Sequence, residues 1–207
     1  MEETKVTVIG AGIVGLAIAA EVSKKYETIV LERHERAGTE ISSRNSEVIH
    51  SGIYYSKDSL KARLCVEGNS LIYSLCIENN IPFKKTGKLI VATNCQETLE
   101  LEKLLSRGNE NGVKGLYMLH GRIVKTLEEN ILAQEALISV ESGIVDVHKL
   151  MDYFEYRLKE NNGVLSCNSE VIGIEKNSGT YRITVKNDDG SFFSFKSRVL
   201  INSAGLS

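Results

Sequence analysis

Three glycines and one acid are the residues in this chain whose spacing most clearly implies chemistry. Gly10, Gly12 and Gly15 stand in G-x-G-x-x-G spacing directly after the apolar run Val6-Thr7-Val8-Ile9, and Glu32 follows about 20 residues downstream. Gly10 permits a tight turn out of a strand. Gly12 lets a phosphate approach the backbone, and Gly15 lets the next helix pack close. A helix beginning at Ile13 and Val14 then offers unpaired N–H groups and a partial positive charge to an anion. The dipole contributes only about 0.3–1 kcal/mol, so most of the affinity must come from the N–H hydrogen bonds. Glu32 ends a second strand, Thr28 to Leu31, where its carboxylate can accept hydrogen bonds from ribose hydroxyls. The adjacent Arg33 tempers the discrimination against a 2′-phosphate. This unit predicts dinucleotide binding and leaves open whether FAD or a nicotinamide dinucleotide is held.

A second polar stretch, Ser42-Ser43-Arg44-Asn45-Ser46, follows the linker Arg33–Ile41. Its small polar residues are expected to open a short helix, giving a second N-terminus suited to the same anion.

The elements that must position these groups read as follows. Ile13 to about Lys25 is a helix. Asp58 to Asn79 carries Leu60, Leu64, Leu71, Ile72 and Leu75 at helical spacings, so that face is expected to be buried. Pro82, the one proline, marks a boundary. Gly87–Thr93 reads as a strand and Gln96–Asn109 as a helix, with short strands up to Val145. Val147–Asn161 is a further helix, and Val164–Glu175 one or two strands. Tyr181–Lys186 and Phe192–Phe195 form a hairpin around Asn187-Asp188-Asp189-Gly190, and Val199–Ile201 is a last buried strand leading into Ala204-Gly205.

The bulk numbers exclude several classes. An apolar share of 42%, a charged share of 25% and a net charge of −2 describe an ordinary globular chain without the basic excess that nucleic-acid binding needs. The apolar run Val6–Ala20 is too short to span a bilayer, and an acidic start precedes it. The expectation is a cytoplasmic protein without a leader or a transmembrane segment; peripheral membrane association remains compatible with this composition. Cys65, Cys76, Cys95 and Cys167 show no C-x-x-C pair and no metal-ligand spacing, so no metal is expected and all four read as reduced, buried, small hydrophobes.

The string Asn45-Ser46-Glu47-Val48-Ile49-His50-Ser51-Gly52-Ile53-Tyr54-Tyr55 resembles L-2-hydroxyglutarate dehydrogenases of the D-amino acid oxidase and glycine oxidase superfamily of FAD-dependent flavoproteins. Ser59–Gly68, Gly87–Ala92, Glu141–Asp146 and Ile201–Leu206 fall in the order of the same group, so the resemblance covers nearly the whole chain. It implies FAD as cofactor and an α/β fold. A Rossmann-type FAD-binding domain would be interleaved with an incomplete α+β substrate domain: residues 1–82 and 147–207 to the former, 83–146 to the latter. It further implies that Ser43, Arg44, Asn45 and Ser46 lie along the FAD pyrophosphate and the start of the flavin ring. Ala204 and Gly205 would close the adenine side, which the Val171 backbone also touches.

The implied activity is oxidation of a small 2-hydroxy acid, L-2-hydroxyglutarate first, with hydride delivered to flavin N5. An amino acid or glycerol-3-phosphate oxidoreductase is the alternative within the superfamily. The chain stops about midway through the family pattern, so a non-catalytic or split-gene fragment with a complementing C-terminal chain is the rival reading. Removing the hydroxyl proton needs a base, and His50, alone among four histidines, sits inside a cofactor motif. His34, His120 and His148 read as surface or capping residues. Tyr54 and Lys61 are candidate substrate contacts, Lys61 because a dicarboxylate requires cations. Leu127-Glu128-Glu129-Asn130-Ile131 departs from the family, which usually carries an acid followed by proline there.

Overall fold

The computed structural model describes residues 3–206. In chain order the elements are β1 (Glu3–Ile9), α1 (Ile13–Val22), β2 (Thr28–Leu31), β3 (Val48–Ile49), α2 (Leu60–Glu78), β4 (Phe83–Lys84), β5 (Lys88–Ala92) and α3 (Cys95–Glu110). They continue as β6 (Leu116–His120), α4 (Gly121–Leu127), β7 (Glu135–Ser139), β8 (Gly143–Val145), α5 (Val147–Glu160), β9 (Val164–Ser166), β10 (Ser169–Asn177), β11 (Thr180–Asn187) and β12 (Phe192–Asn202). Two compact units result. One ends its first pass at Asn45 and resumes at Val147; the other is Ser46–Asp146. By compactness, therefore, Ser46–Pro82 groups with the second unit, whereas the family reading assigns it to the cofactor domain.

The first unit is a six-stranded sheet in the order β10-β11-β12-β1-β2-β9. Strands β12, β1, β2 and β9 are mutually parallel, which requires crossover connections; α1 and α5 provide them. The central strands β1 and β2 are buried on both faces and so read as apolar runs: Val6, Val8, Val30 and Leu31 are all sequestered, as is Leu16 of α1, whereas Val199 of β12, expected to be buried, is 48% exposed.

The expected hairpin strand and the expected last strand are one strand. The first half of β12 pairs antiparallel with β11 (Phe192 opposite Lys186), and its second half pairs parallel with β1 (Asn202 opposite Ile9). The polar Ser197 sits at the change of partner, between the two stretches read as strands. In the fold it is fully buried: it accepts a hydrogen bond from Thr7 Oγ1 at 2.9 Å and donates to Val199 O at 2.8 Å. A satisfied hydroxyl does not interrupt a strand.

The second unit holds two antiparallel three-stranded sheets, β3-β8-β4 and β5-β7-β6. Its core is Ile53, Ala92, Leu101, Val113, Leu116 and Leu137, with α3 packed over β5, β6 and β7. Helix α4 was not anticipated from the sequence; His120 caps it by accepting from Arg122 N–H at 3.2 Å.

Helix α2 corrects a second expectation. Leu60, Leu64 and Leu71 are exposed, at 61%, 51% and 68%, while Ile72 and Leu75 of the same set are half-buried. The buried face is instead Ala62, Asn69, Tyr73 and Cys76. Asn69 Nδ2 donates to the carbonyls of His50 and Glu141, and Tyr73 Oη also donates to Glu141 O. Backbone acceptors on the neighbouring loops thus claim the polar side of the helix, and the leucine stripe is turned away from them. Among the cysteines only Cys76 is buried; Cys95, at the start of α3, is exposed. Among the described residues no helix is long and apolar enough to cross a membrane.

Candidate functional site

A cleft of about 180 Å³ lies at the C-terminal ends of β1, β2 and β12 in the first unit. In an open parallel sheet this is where ligands bind. Gly10, at φ +93°, makes the turn out of β1, and a Cβ there would sit 2.5 Å from Ser203 O. The exits of β1 and β12 can meet only because that atom is missing. A Cβ on Gly15 would lie 2.0 Å from Gly10 O, so the glycine sets how closely α1 approaches the turn. Helix α1 starts from Gly12, which supplies no side-chain cap.

Glu32 is buried at the cleft floor, and both of its oxygens are engaged. Oε2 accepts from Ala11 N–H at 2.8 Å and Oε1 from His34 N–H at 3.0 Å. The acid read as a ribose partner therefore also ties the glycine loop to the turn after β2. A carboxylate oxygen has more than one lone-pair site, so these bonds leave room for a further donor.

Of the sequence-derived cofactor residues, the fold brings Gly10, Gly12, Glu32, Arg33, Val171, Ala204 and Gly205 to this cleft. Ile13, Val14 and Gly15 lie in the first turn of α1 behind it, and Val14 is exposed. Ser43, Arg44 and Asn45 do not line it; the wall is Thr39, Glu40, Ile41 and Ser42. Ser46 belongs to the other unit.

The short helix expected from Ser42 onward is absent, replaced by a single 3₁₀ turn, Ile41–Ser43. Asn45 Nδ2 donates to the carbonyls of Ile41 and Ser42 at 3.1 and 2.9 Å, taking acceptors that a continuing helix would need. The wall residues were missed because polarity, the only signal in sequence, does not say which residues of the run Ser42-Ser43-Arg44-Asn45-Ser46 face inward.

At the cleft rim Glu40 bridges Arg33 and His34. Hydrogen bonds from His34 and then Arg33 hold its carboxyl below the usual carboxylate range. His34 is thus a rim residue with a charged partner rather than a bare surface group.

The second unit holds the other group of candidates. His50, Tyr54, Tyr55 and Lys88 line a narrow crevice with Ser142. Burial first, and the Lys88 ammonium second, lower the His50 pKa. Lys88 Nζ stands 5.4 Å over the Tyr54 ring, and Lys61 Nζ 4.8 Å over Tyr55. Lys61 lies on α2 and does not line the crevice; Lys88, which sequence reasoning left inside a strand, does.

The cleft, its glycine turn and the acid beyond the second strand define a dinucleotide-binding class of α/β fold. Residues 5–207 match the family described as FAD dependent oxidoreductase (DAO), and the chain belongs to it. The chain is 46% identical over 169 residues to mitochondrial L-2-hydroxyglutarate dehydrogenase of Arabidopsis thaliana, spanning 77% of this chain and 35% of that protein. It is 35% identical over 213 residues to the Homo sapiens enzyme of the same name, spanning 97% of this chain and 46% of that one. The chain therefore spans about half the length, or less, of these curated relatives. L-alpha-glycerophosphate oxidase of Mycoplasma pneumoniae, solved with FAD bound, superposes with a TM-score of 0.91 at 30% identity, covering 99% of this chain and 55% of that one. Glycine oxidase of Geobacillus kaustophilus, at 20% identity and a TM-score of 0.85, shares the fold.

FAD is the cofactor of this family, and the cleft fits part of it. Gly12 presents no side chain toward the opening, and the Ser42 hydroxyl is the sole neighbour a Cβ there would meet. At about 180 Å³ the cleft is smaller than the ~300–1,000 Å³ of whole-ligand pockets, so its residues would hold only a part of the cofactor.

Proposed function

We propose that this chain supplies the ADP-binding half of the FAD site, and one wall of the substrate site, in an oxidoreductase acting on a small 2-hydroxy acid. L-2-hydroxyglutarate is the first candidate substrate. The observation that carries the reading is the convergence of Gly10, Gly12, Glu32, Val171, Ala204 and Gly205 on one cleft in a chain of this family. The names of the relatives support the substrate class. In this reading Ser43, Arg44, Asn45 and Ser46 continue along the cofactor toward the flavin.

When bound, FAD supplies the two-electron acceptor for the substrate hydride. The protein's own part is to orient the hydroxy acid and take its hydroxyl proton. His50 is the proposed base: its lowered pKa keeps the imidazole neutral, and so able to accept a proton, at neutral pH. Lys88 beside it supplies a cation for a substrate carboxylate, with Tyr54 alongside; Lys61, held over Tyr55, is the weaker candidate. The part of the relatives that lies beyond this chain's match would complete the flavin and substrate pocket, in the same polypeptide or as a complementing chain. It is also the proposed cover for the exposed Leu60, Leu64 and Leu71 stripe.

The close superposition on glycerophosphate oxidase favours one second reading, a glycerol-3-phosphate oxidoreductase. Purified chain titrated with FAD tests the cofactor half: a perturbed, retained flavin spectrum is expected. A colourless product that cannot be reconstituted would refute it. A panel of 2-hydroxy acids, amino acids and glycerol 3-phosphate, assayed with the protein completed by its counterpart half, decides the substrate. Unchanged turnover in His50→Gln in that form would remove the base assignment.

A further inference from the structure

Three buried serines meet beside the His50 crevice. Ser51 Oγ and Ser139 Oγ lie 2.8 Å apart, and Ser142 Oγ donates to Ser139 Oγ at 3.2 Å. Each serine adjoins a group of the crevice. Ser51 follows His50 in the chain, Ser139 stands opposite Lys88 in the pairing of β5 with β7, and Ser142 is itself a lining residue. The Ser142 carbonyl accepts from Gly87 N–H at 2.9 Å, which fixes the chain one residue before Lys88.

A second clamp joins the same two segments. Asn69, buried on α2, donates through Nδ2 to the carbonyls of His50 at 3.0 Å and Glu141 at 2.9 Å, and Tyr73 Oη donates to Glu141 O at 3.0 Å. The backbone is thus tied at 50 to 141, and the side chains at 51 to 142 by way of 139. None of these bonds uses the His50 imidazole or the Lys88 ammonium, so the two groups are placed without being consumed. Buried hydroxyls must be hydrogen-bonded to be tolerated, and their bonds have direction, which apolar contacts lack. A satisfied buried network of this kind specifies one arrangement of the segments it joins.

We infer that Ser139 is a positioning residue of the crevice, holding His50 and Lys88 at one separation through its bond to Ser51 and its place opposite Lys88. This role rests on the reading of the crevice as the substrate site. There the lysine would meet a carboxylate and the imidazole would take the hydroxyl proton of the same molecule, so the spacing of the two groups decides whether one substrate reaches both. The same spacing sets how strongly the Lys88 ammonium bears on His50, which makes the histidine a reporter of it.

The test follows His50 by NMR pH titration in the 207-residue chain, with melting curves to establish that each variant folds. Ser139→Ala should move the His50 pKa upward, toward the ordinary histidine value of about 6.5. Ser51→Ala breaks the same bond from the other side and should do likewise, which keeps the test open if Ser139→Ala is too unstable to titrate. Ser142→Ala leaves the Ser51–Ser139 bond in place and should shift His50 less. Lys88→Met should move His50 in the parent and move it less in the Ser139→Ala background, where the spacing is already lost. Val124→Ala, buried in α4 of the same unit and outside both clamps, should lower Tm without moving His50. A parent-like titration in both Ser139→Ala and Ser51→Ala, or an equal shift in Val124→Ala, would overturn the positioning role. Turnover of the protein completed by its counterpart half separates this role from the reading beneath it. There the acid limb of kcat/KM should move to higher pH in Ser139→Ala, in step with His50. Unchanged turnover in His50→Gln would refute the base reading, and the positioning role with it. Turnover lost in His50→Gln, beside a Ser139→Ala profile that matches the parent, would refute the positioning role alone.

Discussion

Replacing Glu32 by glutamine should destabilise the ligand-free protein, which is not what a residue serving only a ribose would do. The carboxylate accepts two backbone N–H bonds from opposite sides, Ala11 at 2.8 Å and His34 at 3.0 Å, inside a cleft floor where the side chain is 7% exposed. Glutamine offers one oxygen and one NH₂ group. Whichever way the amide turns, one N–H keeps an acceptor and the other faces a donor. The bond that survives falls from the charged class, about 1.5–3 kcal/mol, to the neutral class, about 0.5–1.5 kcal/mol. The N–H that loses its acceptor incurs a desolvation cost of about 1–3 kcal/mol. Together the loss is about 2–4 kcal/mol, which for a chain of this size lowers Tm by roughly 5–15 °C at about 2–4 °C per kcal/mol. Circular-dichroism melts of Glu32→Gln and Glu32→Ala without ligand measure it, with Glu35→Gln as an exposed control expected to change little. If Glu32→Gln melted with the parent and lost only ADP affinity, the structural part of this account would be wrong, and the carboxylate would act on the nucleotide alone.

Three further outcomes follow from the geometry. Gly15→Ala places a Cβ 2.0 Å from Gly10 O, a backbone atom that cannot rotate aside, so it should cost at least about 1–3 kcal/mol and reduce soluble yield; a parent-like melt would show that the close approach of α1 is not needed. Leu137→Ala, fully buried in the core of the second unit, should lose about 2–5 kcal/mol in urea unfolding, and a loss under 1 kcal/mol would mean that this core collapses to fill the space. His50 should titrate below the ordinary histidine pKa in an NMR pH series, with Lys88→Met moving it part of the way back. Because its folded pKa is lowered, the unfolded chain binds the extra proton first, so stability should begin to fall as the pH drops below about 6.5 and level off once the folded histidine is also protonated. His50→Gln should flatten that acid slope, and an unaltered slope would count against the shift.

Much of the fold was legible because its signals are local. The Gly10-Gly12-Gly15 turn, the apolar β1 and β2, and Glu32 at the strand end are set by backbone sterics and by burial on both faces of a parallel sheet, and both leave marks within about thirty residues. Helices α3 and α5 were likewise readable to within a residue or two, from apolar spacing and, at the end of α5, from the Asn-Asn-Gly stop. Two failures show where that reasoning ends. Periodicity assigned the leucines of α2 to the core, yet distant backbone carbonyls at His50 and Glu141 required Asn69 and Tyr73 on the inner face. Phe192–Phe195 and Val199–Ile201 were read as two strands, yet they are one, because Thr7, on a strand at the other end of the chain, satisfies the Ser197 hydroxyl between them.

The sequence by itself determined the class of site: a strand, a glycine turn and an acid that together can hold a dinucleotide. Tertiary structure alone decided which groups face it. That Ser42 rather than Ser43 to Asn45 lines the cleft, that Glu32 braces the loop as well as offering itself to a ligand, and that Lys88 rather than Lys61 stands beside His50 all depend on partners brought together from far along the chain. A residue's type fixes the bonds it can make, but only the packed fold fixes which of those bonds are already taken and which remain for a ligand.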